Sequence, residues 1–303
     1  MSSSDTEGPA PPAPPAEEAG RGGSLRVRLD LDYDGTDFSG WAVQPGRRTV
    51  AGVVHAALAT VLRVPPGRLH LVVAGRTDAG VHATGQVCHV DVPADAWAAL
   101  PGRHGVTPAG ALVRRLRGVL PADVRLHSAA EAPAGFDARF SAVRRRYAYR
   151  ISDDPAGVPP LRRRDVAHWP RSLDADLMSA AGTSLVGLHD FAAFCRSREG
   201  ATTVRTLLAY SWARDADGLV VAHVVADAFC HSMVRALVGG AAAVGDGRRP
   251  LSWLSAVLVA GVRDPGLVVA PAHGLVLEEV VYPPDEQLGE RAVVARARRS
   301  PLS

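Results

Sequence analysis

The chain has 303 residues, 47% of them hydrophobic, enough to bury a sizeable core in one large or two modest domains. Its 34 basic residues against 31 acidic ones give a formal charge of +3, and every basic residue is arginine, which excludes a Walker-A lysine, a Schiff-base lysine and a pyridoxal-phosphate anchor. The three cysteines lack C-x-x-C pairing and the 11 histidines lack H-x-x-x-H or H-E-x-x-H spacing, so neither a disulfide framework nor a metal is expected, and each cysteine reads as a small buried apolar residue.

The first 23 residues, rich in Pro, Ala, Ser and Glu, read as a disordered tail with neither the basic nor the apolar region of a signal peptide. No later stretch approaches the length of a membrane span, so a soluble, cytoplasmic protein is expected. Four acids of the tail outweigh Arg21, which leaves the rest of the chain more basic than the total suggests. Arginine clusters at Arg114, Arg115 and Arg117, at Arg144 to Arg146 and at Arg162 to Arg164 suit phosphate, so nucleic acid is the natural partner. Solvated arginines in a chain without lysine are the plainer alternative.

Leu25, Val27, Leu29, Leu31 and Tyr33 alternate with Arg26, Arg28, Asp30 and Asp32, the period of an amphipathic strand. After Thr49, a capping residue, apolar positions from Val50 to Leu62 recur at helical spacing until Pro65-Pro66-Gly67. A strand ends at Ala74 and another runs from Gly85 to Val92; Leu112, Leu116 and Val119 mark a helix closed by Pro121, and Val124 and Leu126 a strand. The order β-α-β-β-α-β recurs in strands near 140–151, 204–212 and 219–226, helices near 173–185, from 229 and over 251–262, and a last strand at 275–282. Asp217-Gly218 supplies a hairpin turn. The expected fold is α+β: two split-βαβ halves, residues 24–130 and 131–283, each an antiparallel sheet backed by helices, with a ligand cleft between them. Residues 284–303 read as a frayed basic tail. Gly239, Gly240, Gly245 and Gly247 fail the G-x-G-x-x-G spacing and read as a helix exit.

The segment Gly75-Arg76-Thr77-Asp78-Ala79-Gly80-Val81-His82-Ala83 connects two strands and presents one carboxylate between glycines that can adopt positive φ or admit a close backbone. A turn aspartate capping its own loop is the ordinary reading of Thr-Asp-x-Gly. With Arg76 two residues away, Asp78 would instead be held ionised as an acceptor or nucleophile.

These nine residues, followed by Gln86, resemble the signature of the tRNA pseudouridine synthase A family. The resemblance extends through residues 32–41, Phe140-Ser141-Ala142, Arg145 to Tyr149, His189-Asp190-Phe191, Val204-Arg205-Thr206, Phe229 to Gly239 and Ala270 to Tyr282, and so spans nearly all of residues 25–282. It implies that Asp78 is the nucleophile toward a uridine, at the ribose C1′ or the base, with Tyr147 placed to stack on the flipped base and to assist removal of the C5 proton, and Arg235 paired with the aspartate across the cleft. Arg76, Thr77, His82, Gln86, Tyr149, Phe229 and Arg205 would surround the substrate. It further implies action on uridines 38, 39 and 40 of the tRNA anticodon arm, no cofactor and no metal, and a homodimer. Without it, Tyr147 reads as a strand aromatic and Arg235 as a helix-surface residue. Arg117, Cys230 and Ser232 depart from the family pattern.

Overall fold

The computed structural model describes residues 23–101, 105–196 and 202–297; the expected tail before Gly23 lies outside them. In β1 (Ser24–Tyr33), Val27, Leu29, Leu31 and Tyr33 are buried and the intervening residues face outward, as the period-two pattern requires. Thr49 caps α1 (Val50–Leu62) by accepting the amide of Gly52, and the helix stops where Arg63 takes φ 55°. Then come β2 (His70–Val73), β3 (His82–Pro93), α2 (Ala94–Ala98), α3 (Pro108–Arg117) and β4 (Val124–Glu131). The chain continues through β5 (Arg144–Ser152), β6 (Ala167–His168), α4 (Ala175–Thr183), β7 (Gly187–Asp190), β8 (Val204–Arg214) and β9 (Val220–Ala226). It ends with α5 (Met233–Gly245), α6 (Trp253–Ala260), β10 (Leu275–Val281) and α7 (Leu288–Arg296). The short elements α2, β6 and β7 carry too few residues for a periodic signal.

The architecture is α+β, a largely antiparallel sheet backed by helices. Where two sheets were expected, the strands form a single sheet in the order β4-β1-β3-β10-β5-β9-β8-β7, with β2 joined to β3 and β6 to β5. The last strand unites the halves. β10 pairs in parallel with β3 at Val276↔His82 and Leu277↔Ala83, and antiparallel with β5 from Leu275↔Tyr149 to Val281↔Arg144. The β10 ladder to β5 shifts register between Leu277 and Glu279, and a Cβ on Gly85 of β3 would overlap the carbonyl of Glu278 there. Gly85 thus admits a backbone approach that no other residue would allow. Alternation reveals the faces of a strand but not its neighbours, so this fusion left no trace in periodicity.

Three further expectations are corrected. Residues 284–297 do not fray: α7 docks through buried Leu288 and Ala292, and Arg296 pairs with Asp137 at 2.8 Å, while the end of the expected tail lies outside the described residues. Gly239 and Gly240 lie inside α5 rather than at its exit, because a Cβ on Gly239 would strike the carbonyl of Val268 and one on Gly240 the side chain of Leu254. Cys88 is a buried thiol as expected, but Cys195 and Cys230 form a disulfide across 35 residues. Their segments flank the β8–β9 hairpin, whose antiparallel pairing returns the chain to its starting point and so closes the distance.

Candidate active site

The loop at residues 74–81, between β2 and β3, is fastened from below. Gln86, fully buried, donates to the carbonyl of Gly75 at 2.9 Å and to the hydroxyl of Tyr33 at 3.0 Å, and Tyr33 meets Thr77 Oγ1 at 2.8 Å. Burial raises the pKa of the Tyr33 phenol, so it remains a neutral donor and acceptor. From the side, the amide of Trp41 donates to the carbonyl of Thr77 and the amide of Gly80 to that of Phe38. Gly80 has φ 77° and Gly40 φ 91°, and a Cβ on Gly40 would press on the Thr77 carbonyl at 2.9 Å. Gly75 has neither constraint, contrary to expectation.

Facing Asp78 is the loop at residues 227–232, between β9 and α5. One buried cation joins the two loops: the Arg145 guanidinium, from β5, donates to the carbonyls of Ala74 at 2.9 Å, Asp227 at 2.6 Å and Arg139 at 2.8 Å. Phe229 meets Tyr147 edge to face, with ring centroids 5.1 Å apart. His231 Nε2 stands 3.2 Å from Asp78 Oδ1, Ser232 Oγ 3.4 Å from Oδ2, and an Arg235 terminal nitrogen 3.8 Å from Oδ2. Every residue of α5 except Arg235 is buried, and Arg235 anchors itself through Nε to the Ala270 carbonyl at 2.7 Å. The carboxylate therefore lies at the amino end of a 13-residue helix, where the helix dipole favours negative charge.

Asp78 keeps 27% of its side-chain surface exposed, so it is both charge-supported and reachable. Burial, with Tyr33 and Asp78 nearby, pushes the Tyr147 phenol well above its ordinary pKa, so at neutral pH it is a protonated ring and not a base. An accessible carboxylate ringed by donors and walled by two aromatic rings can attack an electrophilic carbon beside a planar base. Among the described residues, no group of three or more His, Cys, Asp or Glu is arranged to hold a metal.

Asp78, Tyr147, Phe229 and Arg235, distant in sequence, are brought together. Thr77, Gln86 and Tyr149 lie behind the cleft: Tyr149 is fully buried and donates to the Pro271 carbonyl at 2.8 Å. His82 is also buried, its Nδ1 accepting from the Gly35 amide at 2.9 Å and its Nε2 meeting the Arg164 carbonyl at 2.7 Å, which fits a ring protonated at Nε2. The polar atoms of all four are committed to protein: Thr77 and Gln86 fasten the loop itself, while His82 and Tyr149 tie neighbouring segments. Arg205 sits at the start of β8 opposite His189, with its guanidinium on the Val204 carbonyl. Arg76 is exposed, and the ion pairs of Asp78 among the described residues run to His231 and Arg235 instead.

Sequence reasoning missed His231, Ser232 and Arg145 as parts of this site. No spacing rule marks them, since their roles depend on which strand lies beside which. The one local signal, a non-glycine residue in the left-handed region at Ser232 (φ 63°), is visible only in the folded backbone.

A family model described as tRNA pseudouridine synthase matches residues 181–283. The chain is 61% identical over 279 residues to "tRNA pseudouridine synthase A" of Frankia casuarinae, covering 92% of this chain and 97% of that protein. It is 57% identical to the protein of the same name from Streptomyces griseus, covering 92% and 95% of the two chains. With the Mycobacterium leprae protein of that name it shares 54% identity over 91% of this chain and 96% of the relative.

Proposed function

Because this chain belongs to the tRNA pseudouridine synthase A family, we propose that it isomerises uridine to pseudouridine in tRNA with Asp78 as the nucleophile, at positions 38, 39 and 40 of the anticodon arm. The observation that carries this reading is the Asp78 carboxylate itself, reachable yet met by His231, Ser232 and Arg235 from the opposite loop and helix. The carboxylate attacks either C1′ of the ribose or the uracil ring. The bond from C1′ to N1 breaks, the base turns, a bond forms from C1′ to C5, the bond to the Asp78 carboxylate breaks to restore it, and the C5 proton leaves while N1 gains one. Nothing is oxidised or reduced, and no cofactor is consumed.

The target uridine leaves its stack to reach Asp78, at a cost of about a few kcal/mol that base stacking offsets. Tyr147 and Phe229 supply aromatic surface for that purpose, and the raised Tyr147 pKa favours stacking and donation over proton abstraction. Arg76, exposed two residues before Asp78, offers a contact to the tRNA backbone. The protein works as a homodimer in the cytoplasm on this reading.

The test is tritium release from an anticodon-arm transcript labelled at uridine C5, with the product position mapped by carbodiimide modification and primer extension. Wild type is expected to release tritium and to mark only positions 38 to 40; Asp78→Ala binds the RNA and releases none. Wild type that binds well without release sinks the enzymatic reading, and a modified base elsewhere sinks the positional one. Sedimentation of the purified protein as a monomer rejects the homodimer.

A further inference from the structure

Three helices of this molecule begin in the ordinary way. Thr49, Thr107 and Asp174 precede α1, α3 and α4 with extended backbones, and their side chains accept the amides of Gly52, Gly110 and Leu177. Ser232 stands at the same place before α5 with the same capping chemistry, yet it takes φ 63° and makes no side-chain cap. Arg63, the other non-glycine residue at positive φ among the described residues, ends a helix, where that conformation is common. At the start of a helix it is not, and for a residue with a Cβ it is strained.

The hydroxyl that leaves its own helix uncapped turns to Asp78. Oγ meets Oδ2 at 3.4 Å, and among the described residues this is the one hydrogen bond the carboxylate receives. A carboxylate only accepts, so the serine is the donor. His231 and Arg235 stand at 3.2 and 3.8 Å, ion-pair distances that fix no direction. Hydrogen bonds of catalytic groups are often long in the free enzyme and tighten when substrate fills the site. We propose that Ser232 is the positioning residue of Asp78, held in a strained left-handed turn so that its hydroxyl fixes the direction of the nucleophile. This rests on the reading of Asp78 as the nucleophile; Ser232 departs from the family pattern, so the resemblance gives it no role. Its neighbours hold the turn from both sides. The amide of Met233, a fully buried residue, donates to the Cys230 carbonyl at 3.1 Å, Cys230 is bonded to Cys195, and the amide of Ala236 donates to the Ser232 carbonyl at 3.0 Å.

Two truncations separate aiming from backbone shape. Ser232→Gly removes the hydroxyl and also the strain, since glycine accepts φ 63° freely, whereas Ser232→Ala removes the hydroxyl and keeps the strain. Aiming requires both to lose about tenfold or more in kcat, the worth of one hydrogen bond to a charged group, with KM for tRNA within about twofold. Stability is expected to divide them, with the Tm of Ser232→Gly above that of Ser232→Ala. If the serine served only the shape of the turn, Ser232→Gly would keep the wild-type kcat; that result overturns the proposal, as does a loss confined to KM or a Tm no higher for Gly than for Ala. A crystal structure of Ser232→Ala gives a readout independent of turnover: the Asp78 carboxylate is expected to rotate away from its wild-type direction, and a carboxylate left in place overturns the aiming role. Failure of the uridine chemistry appears separately, as a wild type without tritium release.

Discussion

Arg145, on β5, donates to the carbonyl of Ala74, the first residue of the Asp78 loop, at 2.9 Å, and to that of Asp227, the first residue of the His231 loop, at 2.6 Å. The two loops that make the site thus share one fastening point. Burial lowers the Arg145 pKa, a cost that the carbonyl bonds offset. Arg145→Met leaves three carbonyls without that donor and is expected to lose about 3 kcal/mol or more of stability. Activity should fall further than the unfolded fraction accounts for. Urea unfolding beside tritium release checks this; unchanged kcat in a destabilised protein would refute the fastening role.

Gly85→Ala places a methyl group on the carbonyl of Glu278, at the junction of β3 and β10. Because that contact is with backbone, the strands must part, and a loss of about 3 kcal/mol is expected, at the upper end of overpacking. Hydrogen exchange reports the place: amides of β10 should lose protection more than those of β8 and β9. Uniform loss across the sheet counts against the junction as the weak seam.

His89 is buried, and its Nδ1 accepts the Ala138 amide at 2.9 Å. Burial, with Arg26 nearby, lowers its pKa from 6.5 to about 4. Between those values the unfolded chain binds a proton that the folded protein refuses, so this contribution to stability is complete above pH 6.5 and is lost as the pH falls toward 4. His89→Asn keeps an acceptor near Nδ1 but cannot titrate. Its Tm should decline less than wild type over that pH range, and parallel declines would show that His89 is not responsible.

The Cys195–Cys230 bridge closes a loop of 35 residues, for which roughly 2–4 kcal/mol of stabilisation is typical. Dithiothreitol should lower the Tm of wild type and leave that of Cys195→Ser unchanged, since that variant keeps Cys88 and Cys230 as thiols and has no bridge to reduce. Reduction should also lower kcat by loosening the loop at residues 227–232 that faces Asp78. A Tm insensitive to the reductant argues against the bridge.

Much of this molecule is legible from sequence wherever the information is local. Alternation gives β1, the Thr49 cap gives the start of α1, and Asp217-Gly218 marks the turn between β8 and β9. The Asp78 loop announces itself by composition, and its resemblance to a family links it to Tyr147, Phe229 and Arg235. What stays hidden depends on which distant segments touch. The insertion of β10 requires only a glycine at position 85, Arg145 reads as one arginine among 34, and the cysteine pair shows no spacing signal. α7 reads as a tail in the sequence because only Leu288 and Ala292 of it are buried, too few to set a periodicity.

The place of β10 also sets an order of events during synthesis. Its neighbours, β3 and β5, are complete by residue 152, yet the strand that fits between them begins at Leu275. Until more than a hundred further residues have left the ribosome, two strand edges wait unpaired at the centre of the future sheet, exposed to pairing with other chains. A product ending before that strand cannot hold Asp78 and Tyr147 in register however well its helices form, so the enzyme gains its reactivity only when its translation is nearly finished.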